Sequence, residues 1–473
     1  MQNDISTNIK KVLVVFLLCF VGIISYITYF EFYKSEEVVK SPYNRRLWAI
    51  RNEVLRGTIY DRNMTALTKS ERVNVETQKR TYTGGELFSH ALGYVDVKYG
   101  ITGLERKYDT ELMGAEDISL AELIRNKGKQ EEKVGHSLKT TLDYNVQKTA
   151  YDLLGNSRGA VVALNPKTGE VLALVSKPSY DPNKLSEIWD KLQKDDANHP
   201  LINRATSGLY PPGSTFKTIT AISALENIKG IASRPFEDKG KLVFNQKESI
   251  SNYNGEVLGN IGFKEGFYHS SNVFFGSLGL ELGNDKLRAT AEKFFFNKNI
   301  PSDGLIIENS RFPSYKNYEK GNQAQSAIGQ AEVLATPMQM ALTAAAVAND
   351  GAMMKPFMVK QVMDSKGKAV KDIEPENIGS IFSKDNAKVM KDLMRSVVTN
   401  GTGGAAEVAG ITASGKTGTA DHVESKEPHA WFIGFAPYEN PQVAVAVIVE
   451  EGGVGGKAAA KIAGQVMKAA LKK

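Results

Sequence analysis

Residues 12–30 form a stretch of nineteen residues without one charged side chain, preceded by Lys10 and Lys11 and closed by Glu31. At 1.5 Å per residue such a helix spans roughly 28 Å, close to the ~30 Å hydrocarbon thickness of a bilayer. It has no polar face of the kind a surface helix of a soluble domain needs. The chain therefore divides into an apolar tether and a remainder that must fold without it. No small-x-small cleavage pattern follows, the next residues being Phe32, Tyr33, Lys34 and Ser35, so the stretch reads as an uncleaved signal anchor. Lys10 and Lys11 then stay cytoplasmic by the positive-inside tendency, which puts the bulk of a single-pass chain outside the cytoplasm. The lone cysteine, Cys19, lies inside the apolar run behind Leu18; it permits no internal disulfide and does not fit lipoprotein processing.

A chain of 473 residues is too long for one small core and is expected to form two domains beyond the tether. The net charge of +6 is mild for this length, and no basic stripe or recognisable module points to nucleic acid. Residues 31–145 are polar with short charged runs, as at 126–133, and read as a small irregular domain. Near residue 137 the texture changes: 137–143 reads as a strand and the stretch to Leu154 as a helix. Residues 159–164 and 170–176 form a hairpin about Asn165-Pro166-Lys167-Thr168-Gly169. Three more strand-like runs lie at 415–419, 430–436 and 443–450, before a closing helix at 457–471. The middle, about 215–396, is mostly helical, with a helix at 338–347 announced by Thr336-Pro337. An α+β domain follows, its antiparallel sheet built from both ends and a helical lobe inserted between. The expected boundaries are 1–11, 12–30, 31–145 and 146–473.

The chemistry centres on Ser214-Thr215-Phe216-Lys217, which follows Tyr210-Pro211-Pro212-Gly213 and opens an apolar run at 219–228. A serine hydroxyl needs a base, and a lysine three residues on lies on the same helical face. Lysine serves as a base only if burial or a neighbouring cation lowers its pKa. Ser-x-x-Lys alone is a weak signal, and Ser365 to Lys368 also fits; Gly367 makes that segment a hairpin turn. Two later elements add weight. Ser270-Ser271-Asn272 is a loop that leads into a helix and also suits helix capping. Lys416-Thr417-Gly418-Thr419 lies on a strand of small residues that lets a substrate backbone run along its edge. Lys167-Thr168-Gly169 repeats the Lys-Thr-Gly triplet but sits in a solvated turn ahead of the serine.

Ser-x-x-Lys, Ser-x-Asn and Lys-Thr-Gly in that order are the motifs of penicillin-binding proteins and serine β-lactamases. The chain resembles a class B penicillin-binding protein over almost its whole length. Arg56-Gly-Thr-Ile-Tyr-Asp-Arg62 and Gly103-Leu-Glu105 resemble the pedestal motifs, with Met64 where many relatives have glycine. Asn203-Arg204-Ala205, the segment 329–337 and the segment 430–437 resemble the framework of the catalytic domain. The resemblance implies a penicillin-binding transpeptidase fold with a five-stranded antiparallel sheet, a small dimerisation-like pedestal and one transmembrane helix. It implies a membrane-anchored D,D-transpeptidase without cofactor or metal that cross-links D-Ala-D-Ala stem pentapeptides and is acylated by β-lactams.

Carried onto this sequence, the resemblance makes Ser214 the nucleophile and Lys217 its base. Ser270, with Lys416, relays a proton to the leaving amine, and Asn272 holds the substrate amide. Thr417, Gly418 and Thr419 bind the donor end, and the backbone N–H groups of Ser214 and Thr419 form the oxyanion hole. A glycan-polymerising glycosyltransferase is the implied partner, since Glu116-Asp117 lacks the following aromatic of such enzymes and the pedestal is too short for one. The rivals are a D,D-carboxypeptidase, a serine β-lactamase, and a β-lactam receptor or scaffold of a wall-synthesis complex. One β-lactamase class has Ser-x-Val where this chain has Asn272; another needs a Glu-x-x-x-Asn loop absent between Asn272 and Lys416. His269 reads as structural, Glu450-Glu451 as a solvated pair, and Gly401 to Gly404 as a connection towards the third-motif strand. The six histidines have no metal-ligand spacing.

Overall fold

The computed structural model describes residues 2–34, 48, 51–74, 77–114, 133–245, 248–421 and 426–472. Most of the charged run 126–133 lies outside these. Helix α1 (Gln2–Tyr29), continued by a π-helical turn over Phe30–Lys34, carries the apolar stretch. Residues 7–34 are long and apolar enough to cross a membrane, and none of the apolar window is buried against the rest of the chain.

The pedestal begins with the short strand β1 (Ile59–Tyr60) and a ribbon of β2 (Thr68–Asn74) with β3 (Thr77–Tyr82). Two short helices follow, α2 (Gly103–Lys107) and α3 (Asp109–Leu112), and β4 (Ser137–Thr140) closes the unit. A buried apolar core that includes Leu67, Leu104, Leu112 and Leu138 is joined here by a buried charge cluster. Arg56 Nε donates to Glu105 Oε2 at 2.7 Å, Arg80 Nε donates to Glu105 Oε1 at 2.9 Å, and Arg56 Nη1 donates to Asp109 Oδ1 at 2.6 Å. Burial alone would raise the Glu105 carboxyl; Arg80 and Arg56 outweigh it and hold Glu105 below its ordinary range. The two pedestal motifs are thus partners of one another.

Farther along, α4 (Tyr144–Leu154) precedes the hairpin of β5 (Gly159–Leu164) and β6 (Val171–Lys177). The inserted lobe carries α5 (Lys217–Asn227), α6 (Asn272–Lys293) and α7 (Pro337–Ala348). It is less helical than expected: Phe236–Asp238 pairs with Gly259–Ile261, Lys241–Val243 with Ser249–Ser251, and Ala352–Met354 with Asn377–Ser380. These ribbons are three or four residues long, too short for alternation to register in the sequence. Strands β7 (Val359–Met363) and β8 (Ala369–Asp372) form a hairpin, and α8 (Lys384–Thr399) leads to β9 (Ser414–Ala420), β10 (His429–Ala436), β11 (Val443–Val449) and α9 (Ala458–Leu471).

The main sheet has the order β9-β10-β11-β5-β6, every pair antiparallel. Alternation along β11 shows why both faces are covered. Val443, Val445, Val447 and Val449 join a core with α4 and α9, whereas Ala444, Ala446 and Ile448 join the core under the inserted lobe. Helix α7, with all twelve residues buried, lies within that second core, as its apolar circumference requires. A separate sheet in the order β1-β4-β7-β8 joins pedestal to catalytic unit. Across the same seam Tyr108 donates to Asp303 Oδ1 at 2.6 Å, and Arg62 Nη2 stands 3.5 Å from Glu170 Oε2.

Met64 adopts φ +67°, the left-handed region that a β-carbon disfavours, in the turn closed by Asp61 N donating to Thr65 O at 2.9 Å. Its side chain is about half exposed. Met64→Gly is expected to raise stability by about 1 kcal/mol, the scale of that steric cost; urea denaturation of the two proteins measures it, and a loss of stability contradicts the account.

Candidate active site

The serine turn is a 3₁₀ segment, Gly213–Phe216, that leads into α5, so Ser214 stands just ahead of the α-helix and Lys217 is its first residue. Gly213 takes φ +52°, and a β-carbon there would stand 2.5 Å from the carbonyl oxygen of Thr419. Glycine lets the turn press against β9. Thr215 Oγ1 donates to Pro212 O at 2.6 Å, and buried Phe216 stacks on Phe312 at 5.5 Å. The Ser214 side chain stays partly exposed, and among the described residues its hydroxyl has no hydrogen-bond partner.

Lys217 and Lys416 are both fully buried. Lys217 Nζ donates to Ser270 O and to Asn272 Oδ1, each at 2.6 Å, and stands 3.3 Å from Ser270 Oγ. Lys416 Nζ lies 2.8 Å from the same Ser270 Oγ and 3.1 Å from Thr417 O. These acceptors are neutral oxygens. Burial pushes Lys217 well below its ordinary pKa, and the charge of Lys416 pushes it further. Burial alone takes Lys416 down to about 7. A neutral amine has two N–H donors; the two 2.6 Å contacts occupy those of Lys217 and leave its lone pair able to take a proton.

Ser270 reaches both lysines because its backbone is in the left-handed region, φ +60°. That conformation costs roughly 1–2 kcal/mol for a residue with a β-carbon and must be held by its surroundings. Capping and the contacts to the lysines fall to different residues of this loop. Ser271 caps α6, its Oγ accepting from Phe274 N at 2.9 Å, while Ser270 and Asn272 turn towards the lysines.

Two residues without a sequence signal hold the loop. Buried Asn252 accepts from Asn272 N at 2.8 Å and from Val273 N at 3.1 Å. Its Nδ2 donates to Asp238 at 2.9 and 3.0 Å, and Ser271 Oγ donates to Asp238 Oδ2 at 2.5 Å. Both come from the short ribbons of the inserted lobe, where no local pattern marks them.

On β9, Thr417 and Thr419 share a face, as residues two apart on a strand do. They line a cavity of about 410 Å³ with Ser214, Ser270 and Asn272. Gly418 is not among the lining residues; a β-carbon there would meet Thr215 at 2.9 Å and Pro212 O at 3.0 Å, so it packs against the serine turn. Among the described residues β9 pairs with β10 alone, its other edge carrying no strand.

The glycine-rich connection proves to be part of the site. Thr402 lines the same cavity, and its Oγ1 is 2.6 Å from Thr417 Oγ1. Gly401 allows this approach, since a β-carbon on it would stand 2.4 Å from Tyr268 O. His269 also lines the mouth, with Tyr253, Glu256 and Asp421. The decoys are turns: Asp364 Oδ1 accepts from Lys366 N and Lys368 N, and Asn165 N donates to Glu170 O across the other hairpin. Glu450 departs from the solvated pair expected of it, for Arg204 and Arg158 enclose it. Among the described residues no group of three His, Cys, Asp or Glu side chains is placed to hold a metal ion.

A partly exposed Ser214 that shares a cavity with Ser270 and Asn272, the residues held by two buried lysines of lowered pKa, has the make-up of a serine acyl-transferase. Residues 159–468 match the penicillin binding protein transpeptidase domain, and residues 56–138 match the penicillin binding protein A dimerisation domain. Peptidoglycan D,D-transpeptidase PbpA of Mycolicibacterium smegmatis is 33% identical over 99% of each chain. Peptidoglycan D,D-transpeptidase MrdA of Escherichia coli K12 is 30% identical, covering 80% of this chain and 69% of that one. The ceftriaxone acyl-enzyme of penicillin-binding protein A from M. tuberculosis superposes with a TM-score of 0.82 at 30% identity, over 89% of this chain and 99% of that one. The chain belongs to the class B penicillin-binding proteins and is a serine D,D-transpeptidase of peptidoglycan.

Since the Lys416 charge helps keep Lys217 unprotonated, Lys416→Met removes that charge while keeping an unbranched chain in the space. The Lys217 pKa then rises, and the acid limb of β-lactam acylation moves to higher pH by on the order of one unit. Acylation rate constants of both proteins between pH 5 and about pH 9 test this; an unmoved limb, or one moved to lower pH, contradicts the coupling.

Proposed function

We propose that Ser214 Oγ attacks the carbonyl carbon of the penultimate D-alanine of a stem pentapeptide while neutral Lys217, one helical turn along, takes its proton. The N–H groups of Ser214 and Thr419 hold the oxyanion, each donor contributing roughly 2.7–4 kcal/mol to the transition state. The proton reaches the departing D-alanine nitrogen through the Ser270 hydroxyl, with Lys416 on its far side. Terminal D-alanine leaves and an ester to Ser214 remains. The amine of a neighbouring stem then attacks that ester, its proton passes to Lys217, and Ser214 is restored as the cross-link forms. Asn272 holds the donor amide, and Thr417 and Thr419 receive the terminal carboxylate beside Lys416, while Gly418 lets β9 lie close against the serine turn. A β-lactam acylates the same oxygen, but its opened ring stays tethered where the acceptor must enter.

The observation carrying this reading is the Ser270 hydroxyl between the two lysines, at 3.3 and 2.8 Å. It supplies an unbroken proton path between the base and the leaving-group side of the cavity.

In this reading α1 spans the membrane with Lys10 and Lys11 on the cytoplasmic side, and residues 31–145 are a pedestal that carries 146–473 towards the wall. The match of residues 56–138 to a dimerisation domain supports a docking role for the pedestal, and a glycan-polymerising glycosyltransferase is the partner whose product this enzyme would cross-link.

Labelling of the full chain by a fluorescent penicillin tests the roles. Ser214→Ala should lower covalent labelling at least about 10³-fold with an unchanged melting temperature, because a partly exposed hydroxyl is removed without leaving a cavity. Lys217→Ala should slow acylation by about 10²–10⁴-fold. Labelling retained in Ser214→Ala excludes that nucleophile. Rapid release of label from the natural protein would point to a β-lactamase, and water outcompeting every amine acceptor in a D-Ala-D-Ala assay to a carboxypeptidase.

A further inference from the structure

Glu450, at the end of β11, is only 11% exposed although the sequence offers it as a solvated acid. Arg204 Nε donates to its Oε1 at 2.7 Å, and Arg158 Nε stands 3.1 Å from Oε2. The same Oε1 also accepts from the Tyr210 hydroxyl at 2.6 Å. Tyr210 begins the segment Tyr210-Pro211-Pro212-Gly213 that delivers Ser214. Burial, and next the Glu450 carboxylate, hold the phenol well above its ordinary pKa, so it remains a donor across the working pH range.

The surroundings make this contact a control point for the serine turn. Tyr210 exchanges backbone hydrogen bonds with Ala335, at 3.1 and 2.8 Å. One residue on, Pro211 O accepts from Trp431 Nε1 at 3.0 Å, and Gly213 N donates to Gly329 O at 2.9 Å. The Tyr210 ring meets His429 and Trp431 edge-on, at 5.5 and 6.2 Å between centroids. Backbone contacts thus fix the turn towards the inserted lobe, and Trp431 ties it to β10. The phenol–carboxylate bond is its polar side-chain link to the far end of β11. Arg204 extends this link, since its Nη2 donates to Asn198 O at 2.6 Å and its backbone N to Ser176 Oγ at 2.9 Å on β6.

We infer that Glu450, set by Arg204 and Arg158, is a positioning residue that acts through Tyr210 to fix Ser214 against the edge of β9, where its oxygen and the oxyanion donors meet the substrate carbonyl. The inference rests on the assignment of Ser214 as nucleophile. The brace touches neither substrate nor reacting atoms. Its loss moves the turn by tenths of an ångström, a displacement that lowers the acylation rate constant and leaves the initial encounter with the ligand unchanged.

Stopped-flow acylation of the full chain in detergent by a fluorescent penicillin separates the rate constant from the non-covalent dissociation constant. Tyr210→Phe, which removes one oxygen and keeps the ring, should lower the acylation rate constant about tenfold at an unchanged dissociation constant. Glu450→Gln keeps an oxygen acceptor for the phenol and should lose less than Tyr210→Phe; the double variant should be no slower than Tyr210→Phe alone. A first-order rate constant is measured on the folded molecules, so partial unfolding lowers the amplitude and not the rate. An undiminished rate constant in Tyr210→Phe, or a loss confined to the dissociation constant, overturns the inference. Ser214→Ala separates the two levels. With its labelling abolished, an undiminished Tyr210→Phe rate constant removes only the brace; labelling that survives in Ser214→Ala removes the nucleophile and the brace together.

Discussion

Two lysines buried within reach of one serine hydroxyl, with neutral oxygens as their acceptors, are an arrangement that folded proteins ordinarily avoid. An ammonium group taken out of water needs a counter-charge, and the acceptors at Lys217 and Lys416 offer only lone pairs. Each lysine therefore yields its proton more readily, and Lys416 presses on Lys217 besides. Burial thus brings two ammonium groups towards the neutral amine form. The rest of the catalytic unit exists to keep that pair dry, close and correctly aimed.

Keeping it so draws on residues far apart in the chain. Ser270 holds a left-handed backbone that an unrestrained loop would leave, and Asp238 and Asn252 secure the following Ser271 and Asn272. Thr402 meets Thr417 at the mouth because Gly401 can lie against the Tyr268 carbonyl. Glu450 and its arginines grip the tyrosine that begins the serine turn. In each case a buried polar group is satisfied by a partner that also fixes a functional side chain, so stability and geometry depend on the same hydrogen bonds.

The pedestal uses the same physics for another end. Beside its buried apolar residues it buries Arg56, Arg80, Glu105 and Asp109, whose mutual neutralisation makes their burial tolerable. The sheet that runs from β1 through β4 to β7 carries the pedestal into the catalytic unit by backbone pairing.

Much of this was legible in the linear chain. Five strands of the main sheet announce themselves because β-rich runs such as 443–449 must be covered on both faces, and the closing helix because its apolar residues recur at helical spacing. Ser214, Lys217, Ser270, Asn272 and Lys416 could be singled out because each lies in a short segment whose order is preserved along the chain. The ribbons of the inserted lobe were not legible, being three or four residues long and determined by what they pack against. Glu450 was misread as solvated for a related reason: nothing near it in sequence reveals that Arg204 and Arg158 arrive from elsewhere. Sequence by itself determined which groups could do the chemistry and which elements carry them. Only the tertiary structure decided their protonation, their spacing and the residues that hold them, because desolvation and contact between distant segments arise when the chain closes on itself.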